Sequence, residues 1–308
     1  MSDDVRVLSP DDALERIVDT LRATGRYHVA ARFGRRSRYA EDDGTPTLRA
    51  LYVDVETTGL DPARDAIIQL CAAPFEYAPA DGRIFSVGEA VVCYEDPGRP
   101  IPPEITALTG ITDEAVAGKR LDEERVNALL ATTSLVIAHN ARFDRPFLER
   151  RIPLFQDCPW ACSRAEVSWE AHGIGSAKLE FILFKLAGEI FQGHRADEDA
   201  FAGIHILATP LPSGERPMAL LLQSCRRRTV RIWAVDSAYE HRRALKARGY
   251  RWSSGEGERP RSWYLDVPED RADEELAWLN EVVYRGTRPR WRCETFDARL
   301  RYSERIAC

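Results

Sequence analysis

Tyr52-Val-Asp-Val-Glu-Thr-Thr-Gly-Leu60 is the stretch on which the fold and the site of this chain depend. Alternate residues of a β-strand share one face, so Asp54 and Glu56 point the same way while the two valines point into the core. Adjacent carboxylates repel each other unless a cation lies between them, and hard divalent cations prefer oxygen ligands. Thr57–Gly59 then turns the chain with small groups that allow a ligand close to the backbone. Taken alone, the stretch equally fits an ordinary strand end with two solvated acids.

A second cluster, His139-Asn-Ala-Arg-Phe-Asp144, follows the apolar segment 135–138, which is predicted to be a short buried strand. Asn140 is placed to cap the helix that follows. Asp144 then lies in the first turn, where the helix dipole favours an anion. Phe143 either packs in the core or forms a wall of a ligand site. An aspartate at a helix start is common, so this cluster alone leaves its role open.

The third cluster is His194-Arg-Ala-Asp-Glu-Asp199. Five residues on a helix amount to about 140° of rotation, so His194 and Asp199 would not share a helix face. They converge if His194 lies on the loop before the helix and Asp199 lies within it. Asp197 and Glu198 compete for a ligand role, and a surface histidine followed by acids is the structural alternative.

In this order and spacing, the three motifs strongly resemble those of DEDDh exonucleases, the family of the proofreading subunit of bacterial replicative polymerases and of ribonuclease T. The resemblance covers roughly residues 48–208, and Pro100–Thr112 is similar to the family's loop beside the substrate terminus. A sister subtype has a tyrosine four residues before the last aspartate. Arg195 stands there, with His194 one residue earlier, so the histidine form is the match. Only Asp199 has the family spacing for the last acid.

The resemblance implies an α/β fold of the ribonuclease H-like exonuclease type, with a mixed central sheet flanked by helices and a smaller α+β C-terminal domain. It implies a 3′→5′ exonuclease that releases nucleoside 5′-monophosphates from nucleic acid, with DNA as the expected polymer. The expected partners are single-stranded or frayed 3′ ends, and a DNA polymerase subunit if the chain edits mispairs. An enzyme that trims RNA 3′ ends and a non-catalytic binding or polymerase-associated module are the alternatives.

The resemblance also assigns roles to residues. Asp54, Glu56 and Asp199 would hold one Mg²⁺ or Mn²⁺, and Asp54 with Asp144, mainly through water, would hold a second. Two such ions about 3.5–4 Å apart steady the attacking and leaving oxygens of an in-line displacement. His194 would accept the proton of the attacking water, a role that suits an imidazole near neutral pH. The residues that would position the 3′-terminal nucleotides are Thr57, Leu60, Ile111, Asn140 and Phe143, of which Leu60 and Ile111 equally suit the core.

The apolar periodicity along the chain predicts strands first and then an alternation of strands and helices, which favours a mixed sheet flanked by helices. The predicted strands are 48–56, 66–75, 84–93, 135–138, 230–235 and 262–267. The predicted helices are 10–24, 123–131, 141–151, 178–187, 197–207, 238–248 and 270–284. Thr209–Pro217 is dense in proline and turn formers and marks a boundary. The predicted units are an N-terminal helix and extension (1–47), an exonuclease domain (48–208), a linker or connecting helix (209–228) and a C-terminal domain (229–308).

Composition places the chain among folded proteins, with 44% hydrophobic and 30% charged residues. The longest apolar runs are too short to cross a bilayer, and Met1–Arg6 lacks the basic start and apolar stretch of a signal peptide. We therefore expect a cytoplasmic protein without a membrane partner. The seven cysteines are odd in number and lack paired ligand spacing, which favours reduced thiols over a zinc site.

Charge is unevenly distributed along the chain, whose net charge is −6. Residues 218–308 hold 19 Lys and Arg against 14 Asp and Glu, so this part is mildly basic and suited to phosphates. Basic residues interleaved with aromatics suit single-stranded nucleic acid. A tryptophan core with a solvated arginine face is the favoured alternative. The aromatic residues in question are Trp233, Trp252, Trp263 and Tyr264, and the basic ones are Arg226–Arg228, Arg242, Arg243, Lys246, Arg248 and Arg251.

Overall fold

The computed structural model describes residues 10–255 and 259–306. Met1–Arg6 and Cys308, on which the signal-peptide and cysteine interpretations drew, lie outside the described residues. The helices are α1 (Pro10–Ala23), α2 (Pro103–Thr109), α3 (Asp113–Val116), α4 (Glu123–Leu130), α5 (Ala141–Arg151), α6 (Leu179–Ala187), α7 (Ala196–Ala208), α8 (Pro217–Arg226), α9 (Arg242–Ala247) and α10 (Ala272–Trp278). The strands are β1 (Ala31–Arg32), β2 (Leu48–Thr57), β3 (Ile67–Tyr77), β4 (Ile84–Val87), β5 (Val91–Tyr94), β6 (Leu135–Ala138), β7 (Trp160–Cys162), β8 (Glu189–Ile190), β9 (Thr229–Ala234), β10 (Arg251–Trp252), β11 (Trp263–Pro268) and β12 (Trp291–Phe296).

The central sheet has the strand order β4-β3-β2-β6-β7, and β5 also pairs with β3. β3 runs antiparallel to β2, β4 and β5, whereas β6 runs parallel to both β2 and β7. The predicted mixed sheet flanked by helices is therefore confirmed. Because β2 lies in the middle of the sheet, both of its faces are covered and apolar. Tyr52 packs on the side of α6, α7 and α8, whereas Val53 and Val55 pack on the side of α4 and α5.

A close contact between α7 and β2 fixes the position of that helix. A methyl group placed on Gly203 would lie only 2.1 Å from Oη of Tyr52, so glycine is required for the helix to approach the strand. The Tyr52 side chain is fully buried, and its hydroxyl forms a hydrogen bond of 2.9 Å with Ser163 Oγ. Because Tyr52 precedes the Asp-x-Glu motif by two residues, this contact sets the distance between the motif and α7.

The C-terminal residues form a separate antiparallel sheet of strand order β10-β11-β9-β12. Val230 and Ile232 of β9 pack with Leu245 of α9 and with Leu279, which follows α10. The predicted smaller α+β domain is confirmed in its architecture. Trp233 is 1% exposed and belongs to the interior, whereas Trp252 is 52% exposed, so the tryptophans divide between the core and the surface.

Two buried arginines join the C-terminal segment to the larger sheet. The guanidinium of Arg145 on α5 is fully buried, pairs with Glu149 at 2.7 Å and donates hydrogen bonds to the backbone carbonyls of residues 298, 299 and 301. Arg301 pairs with Glu166 at 2.6 Å and donates to the carbonyl of Arg227. The backbone N–H of Trp160 in the edge strand β7 donates to the carbonyl of residue 298. Buried ion pairs of this kind leave an uncompensated charge when one partner is removed.

Several predicted elements differ from the observed ones. The predicted strand 84–93 is two strands, because Gly88–Ala90 interrupts the ladder between β4 and β5. Only 242–247 of the predicted helix 238–248 is α-helical, after a 3-10 turn at Tyr239–His241. Strands β7 and β12 and helices α2 and α3 lay outside the predicted set because short segments carry little periodicity. The predicted division of the chain at 47, 208 and 228 stays a prediction.

None of the described helices combines the length and the apolar composition needed to cross a membrane.

We expect Gly203→Ala to lower the free energy of unfolding by about 1–3 kcal/mol, because the added methyl group must displace Tyr52 or α7. Urea denaturation measures the change. Gly175→Ala is the matched control, since a methyl group there meets no atom within 4 Å. Equal stability of the two variants would show that α7 tolerates a wider separation from β2.

Candidate active site

A cavity of about 350 Å³ opens where the carboxyl end of β2 meets α2, the start of α5 and the loop before α7. Residues from the three sequence motifs meet on its wall although up to 145 positions separate them along the chain. The members that were predicted as catalytic are Asp54, Glu56, Asp144, His194 and Asp199.

The strand β2 places the first two carboxylates. Val53 and Val55 are buried on the opposite face, so the alternation predicted for Asp54 and Glu56 holds. The pairing of β2 with β3 shifts register between Glu56 and Thr57, so the regular ladder ends at the motif. Gly59 is required in the following turn because a methyl group would lie 2.4 Å from the carboxylate of Asp65. Gly59 also lines the cavity, so its predicted role in the approach of a ligand to the backbone stays a prediction.

The helix α7 and the loop before it place Asp199 and His194. Asp199 lies in the first turn of α7, and its carboxylate accepts a hydrogen bond of 3.0 Å from the backbone N–H of Arg195. His194 precedes the helix with φ of 67°, a left-handed conformation that is uncommon for residues other than glycine. This conformation brings the exposed imidazole to the cavity, as predicted from the argument that both residues cannot share a helix face.

Asp144 approaches β2 from the opposite side, in the first turn of α5. It is 3% exposed, and its Oδ1 accepts a hydrogen bond of 3.2 Å from the backbone N–H of Val55. Asn140 occupies the N-cap position of α5 with φ of 111°, but its side chain forms no capping hydrogen bond. The predicted capping role of Asn140 is therefore wrong; its amide faces the cavity because the left-handed backbone turns it away from the helix amides.

Asp54, Glu56 and Asp199 each offer a carboxylate oxygen, and these oxygens lie within 4.8 Å of one another. Burial and the mutual repulsion of the acids raise the pKa of Asp54 well above its ordinary value. Burial, followed by repulsion from Asp199 and Asp144, raises the pKa of Glu56 to about 8. Burial, followed by the charges of Glu180 and Asp197, raises the pKa of Asp199 to about 7, although hydrogen bonds from the backbone lower it. Burial also raises the pKa of Asp144 to about 7 against the hydrogen bond from Val55, which lowers it.

These four acids are held in a geometry that disfavours their own negative charge. A divalent cation between the carboxylates offsets their mutual repulsion and favours the ionised form that burial disfavours. An all-oxygen donor set matches the preference of Mg²⁺ and Mn²⁺. The residues present therefore fit a hard divalent cation.

The two acids beside Asp199 both pair with one arginine. The guanidinium of Arg35 donates to Asp197 and, at 2.9 Å, to Glu198. Although burial raises the pKa of Asp197, the hydrogen bond and charge of Arg35 bring it below its ordinary value. This arrangement leaves Asp199 as the acid of this cluster that faces Asp54 and Glu56.

Four of the five residues predicted to contact substrate line the cavity, namely Thr57, Leu60, Asn140 and Phe143. Leu60 is 84% exposed, so its alternative assignment to the core is wrong. Ile111 does not line the cavity: it is 4% exposed and packs with Ile68, Ile101 and Val116. The core alternative for Ile111 therefore agrees with the structure, because Gly110 ends α2 in a left-handed conformation and turns the next residue inward.

Other residues of the cavity were missed by the sequence reasoning. Ile105, Leu108 and Thr109 of α2 face it, at the i, i+3, i+4 spacing of one helix face, so a prediction of this short helix would have found them. His139 also lines the cavity, and its ring nitrogens are engaged by Ser163 Oγ at 2.9 Å and the carbonyl of Ala177 at 2.8 Å. Burial lowers the pKa of His139 to about 4, so it holds a neutral ring in this position.

Residues 51–207 match the RNase T family model, which is described as exonuclease. This chain belongs to that exonuclease family. The predicted DEDDh membership is thereby confirmed, and the carboxylate cluster lies within the matched domain.

Individual relatives agree with this family. The chain is 33% identical over 153 residues to the PolC-type DNA polymerase III of Thermotoga petrophila, a match that covers 48% of this chain and 11% of that protein. It is 26% identical over 164 residues to the DNA polymerase III subunit epsilon of Treponema pallidum, and this match covers 51% of this chain and 73% of that protein. The chain thus spans about a tenth of the length of the PolC-type relatives that it matches.

Among solved structures, the chain is similar to a zinc-bound complex of Escherichia coli exonuclease I with single-stranded DNA. The TM-score is 0.49 at 17% identity, and the match covers 76% of this chain and 71% of that one.

The raised pKa values predict how the metal-free protein responds to pH. Folding raises the pKa of these acids, so at these sites the folded state binds protons more tightly than the unfolded chain, and their contribution to the free energy of unfolding falls as pH rises from about 4 to about 8. We expect Asp144→Asn, which keeps the acceptor for Val55, to increase this free energy by ~1–3 kcal/mol at pH 8 and to have little effect at pH 4.

Urea denaturation in EDTA at both pH values measures the difference. Asp157→Asn, an exposed aspartate outside the cavity, is the control and should change stability little at either pH. A loss of stability in Asp144→Asn at pH 8 would contradict the repulsion described for the cluster.

Proposed function

We propose that this chain is a metal-dependent 3′→5′ exonuclease that hydrolyses the terminal phosphodiester bond of DNA and releases nucleoside 5′-monophosphates. The observation that carries the proposal is the cluster of Asp54, Glu56 and Asp199, with oxygens within 4.8 Å of one another, inside a domain of the exonuclease family.

Each residue of the cluster is given one role in this proposal. Asp54, Glu56 and Asp199 hold one Mg²⁺ or Mn²⁺, and Asp54 with Asp144 holds a second. Bound there, the two ions stabilise the charges of the attacking and leaving oxygens at phosphorus. The backbone N–H groups of Arg195 and Val55 hold the carboxylates of Asp199 and Asp144 in place, which limits their rearrangement during turnover.

His194 accepts the proton of the attacking water. Its imidazole is exposed at the cavity wall, whereas both ring nitrogens of His139 are engaged in hydrogen bonds. The left-handed backbone of His194 keeps the ring next to the carboxylates without placing it on α7. A neutral imidazole that accepts a proton near neutral pH is the usual general base.

The apolar rim of the cavity positions the 3′-terminal nucleotide. Leu60 is 84% exposed and Leu108 is 50% exposed, and exposed leucines on two walls of a cleft suit the faces of an unstacked base. Phe143 and Thr57 line the same space, and the amide of Asn140 offers both a donor and an acceptor. A terminus must be single-stranded or frayed to enter a cavity of about 350 Å³.

DNA is proposed as the polymer because the curated relatives are named as DNA polymerase III proteins. By the same argument, a DNA polymerase subunit is a proposed partner and the cytoplasm the proposed location. The substrate test therefore compares single-stranded, duplex and mismatched DNA with matching RNA, each labelled at the 5′ end and supplied with Mg²⁺. Faster release of mononucleotides from the RNA set would replace DNA by RNA in the proposal.

We expect Asp199→Asn to reduce the rate of mononucleotide release at least about a hundredfold, because it removes a ligand charge at the reacting phosphate. The matched control is Glu198→Gln, which changes the same charge one residue away, outside the cavity and against Arg35. Gel analysis of labelled oligonucleotides measures both rates. Equal losses in the two variants would place the metal ligands elsewhere.

We expect His194→Asn to lower kcat by roughly 10²–10⁴-fold, the usual contribution of a general base. The activity of the unmodified protein should fall below about pH 6.5, where an imidazole ordinarily becomes protonated, and the residual activity of the variant should lose this dependence. We expect Mn²⁺ to raise the Tm of the parent protein and of the variant alike, because His194 is not a proposed ligand. A variant that keeps the same pH profile as the parent protein would assign the base to another group.

A further inference from the structure

A cavity of about 650 Å³ lies outside the carboxylate site, between the exonuclease domain and the C-terminal sheet. Its walls come from the start of α5, the segment after β7, the end of α8 and the strand β11. Asn140 lines this cavity and the carboxylate cavity alike. The two spaces therefore adjoin at the N-cap of α5.

Arginine dominates the wall of this larger space, which we term the arginine cavity. Its arginines are Arg142, Arg164, Arg227, Arg228, Arg251 and Arg301. Its two acids are both neutralised by neighbours: Glu166 by Arg301 at 2.6 Å, and Asp266 by Arg231 at 2.7 Å. The cavity is thus strongly positive in a chain whose net charge is −6.

Several of these cations have no acid of their own. The side chains of Arg164 and Arg227 are exposed and form no ion pair with any residue in the described part of the chain. Burial and the neighbouring charge of Arg142 lower the pKa of Arg251, as expected where guanidinium groups gather without enough anions. An arrangement of this kind is stabilised by an anion that enters from solution, and arginine matches phosphate oxygens in geometry.

We propose that the arginine cavity binds the phosphodiester backbone of the strand whose 3′ end lies in the carboxylate cavity. The strand leaves the site past Asn140 and follows Arg164 and Arg251 toward Arg227 between the two parts of the molecule. This inference rests on the proposed exonuclease function, which supplies the strand. It gives the C-terminal sheet a role in holding substrate, since Arg251 and Tyr264 come from that sheet.

Contacts to phosphate carry no base sequence, so the cavity binds all sequences alike.

The test uses the full chain and the double variant Arg164→Gln/Arg227→Gln, which leaves no buried carboxylate without a partner. The matched control is Arg285→Gln/Arg288→Gln, which removes the same charge from exposed positions outside the cavity. Fluorescence anisotropy with a labelled oligo(dT) in EDTA measures affinity without any turnover.

We expect the cavity variant to bind oligo(dT) roughly tenfold more weakly and to lower the slope of log K against log salt by about 0.7 per lost phosphate contact. The control variant should match the parent protein. With Mg²⁺, KM for a long oligonucleotide should rise while kcat and the hydrolysis of a dinucleotide, too short to reach the arginines, stay unchanged.

The two proposals fail in different ways. Absence of hydrolysis with every substrate overturns the exonuclease function, whereas the binding measured in EDTA still tests the cavity. The cavity assignment is overturned if the cavity and control variants bind oligo(dT) with equal affinity. It is also overturned if the cavity variant hydrolyses the dinucleotide as poorly as the long oligonucleotide. Displacement of oligo(dT) by dTMP at an equal concentration of phosphate groups overturns it as well, because the cavity would then be a mononucleotide site.

Discussion

Repulsion among buried carboxylates is the constraint around which the rest of this structure is arranged. Asp54, Glu56 and Asp199 come from two elements that approach each other closely, and Asp144 reaches the same place from a third. Bringing these charges together costs free energy, which the surrounding core must offset when no cation is bound. The buried faces of β2 and the close packing of Gly203 against Tyr52 supply a rigid frame on both sides of the acids.

Strain is stored at the same place. The described residues other than glycine include four with positive φ, and two of them, Asn140 and His194, line the carboxylate cavity. Asn140 stands immediately before α5 and His194 two residues before α7, and the first turn of each helix carries one of the acids. The strained backbone therefore separates two tasks, since the helix fixes the aspartate while the preceding residue turns its own side chain into the cavity.

Much of this arrangement could be predicted from the sequence, because it follows from the periodicity of apolar residues and from the order of the motifs along the chain. The alternation in β2, the apolar strand before His139 and the offset between His194 and Asp199 each have a local geometric meaning, and the observed elements agree with them. The choice between substrate contact and core for Ile111 could not be made, since its burial depends on the left-handed Gly110 and on contacts with Ile68 and Val116 from distant segments. Asp197 and Glu198 are kept out of the carboxylate cluster by their ion pairs with Arg35, which lies more than 160 positions away. No local sequence pattern predicts an ion pair over such a distance. The arginine cavity is hidden for the same reason, because its members are scattered from residue 142 to residue 301.

The buried pairs of Arg145 and Arg301 bear on how this chain can be divided. Glu149 accepts from Arg145, Ser303 and Arg305, and Glu166 accepts from Arg301 and Tyr302. An exonuclease domain cut out after residue 208 would keep both carboxylates and lose the C-terminal donors, and the edge of β7 would lose its acceptor at residue 298. The last residues of the chain thus complete the scaffold of the family domain, and we expect that domain to be less stable alone than in the full chain.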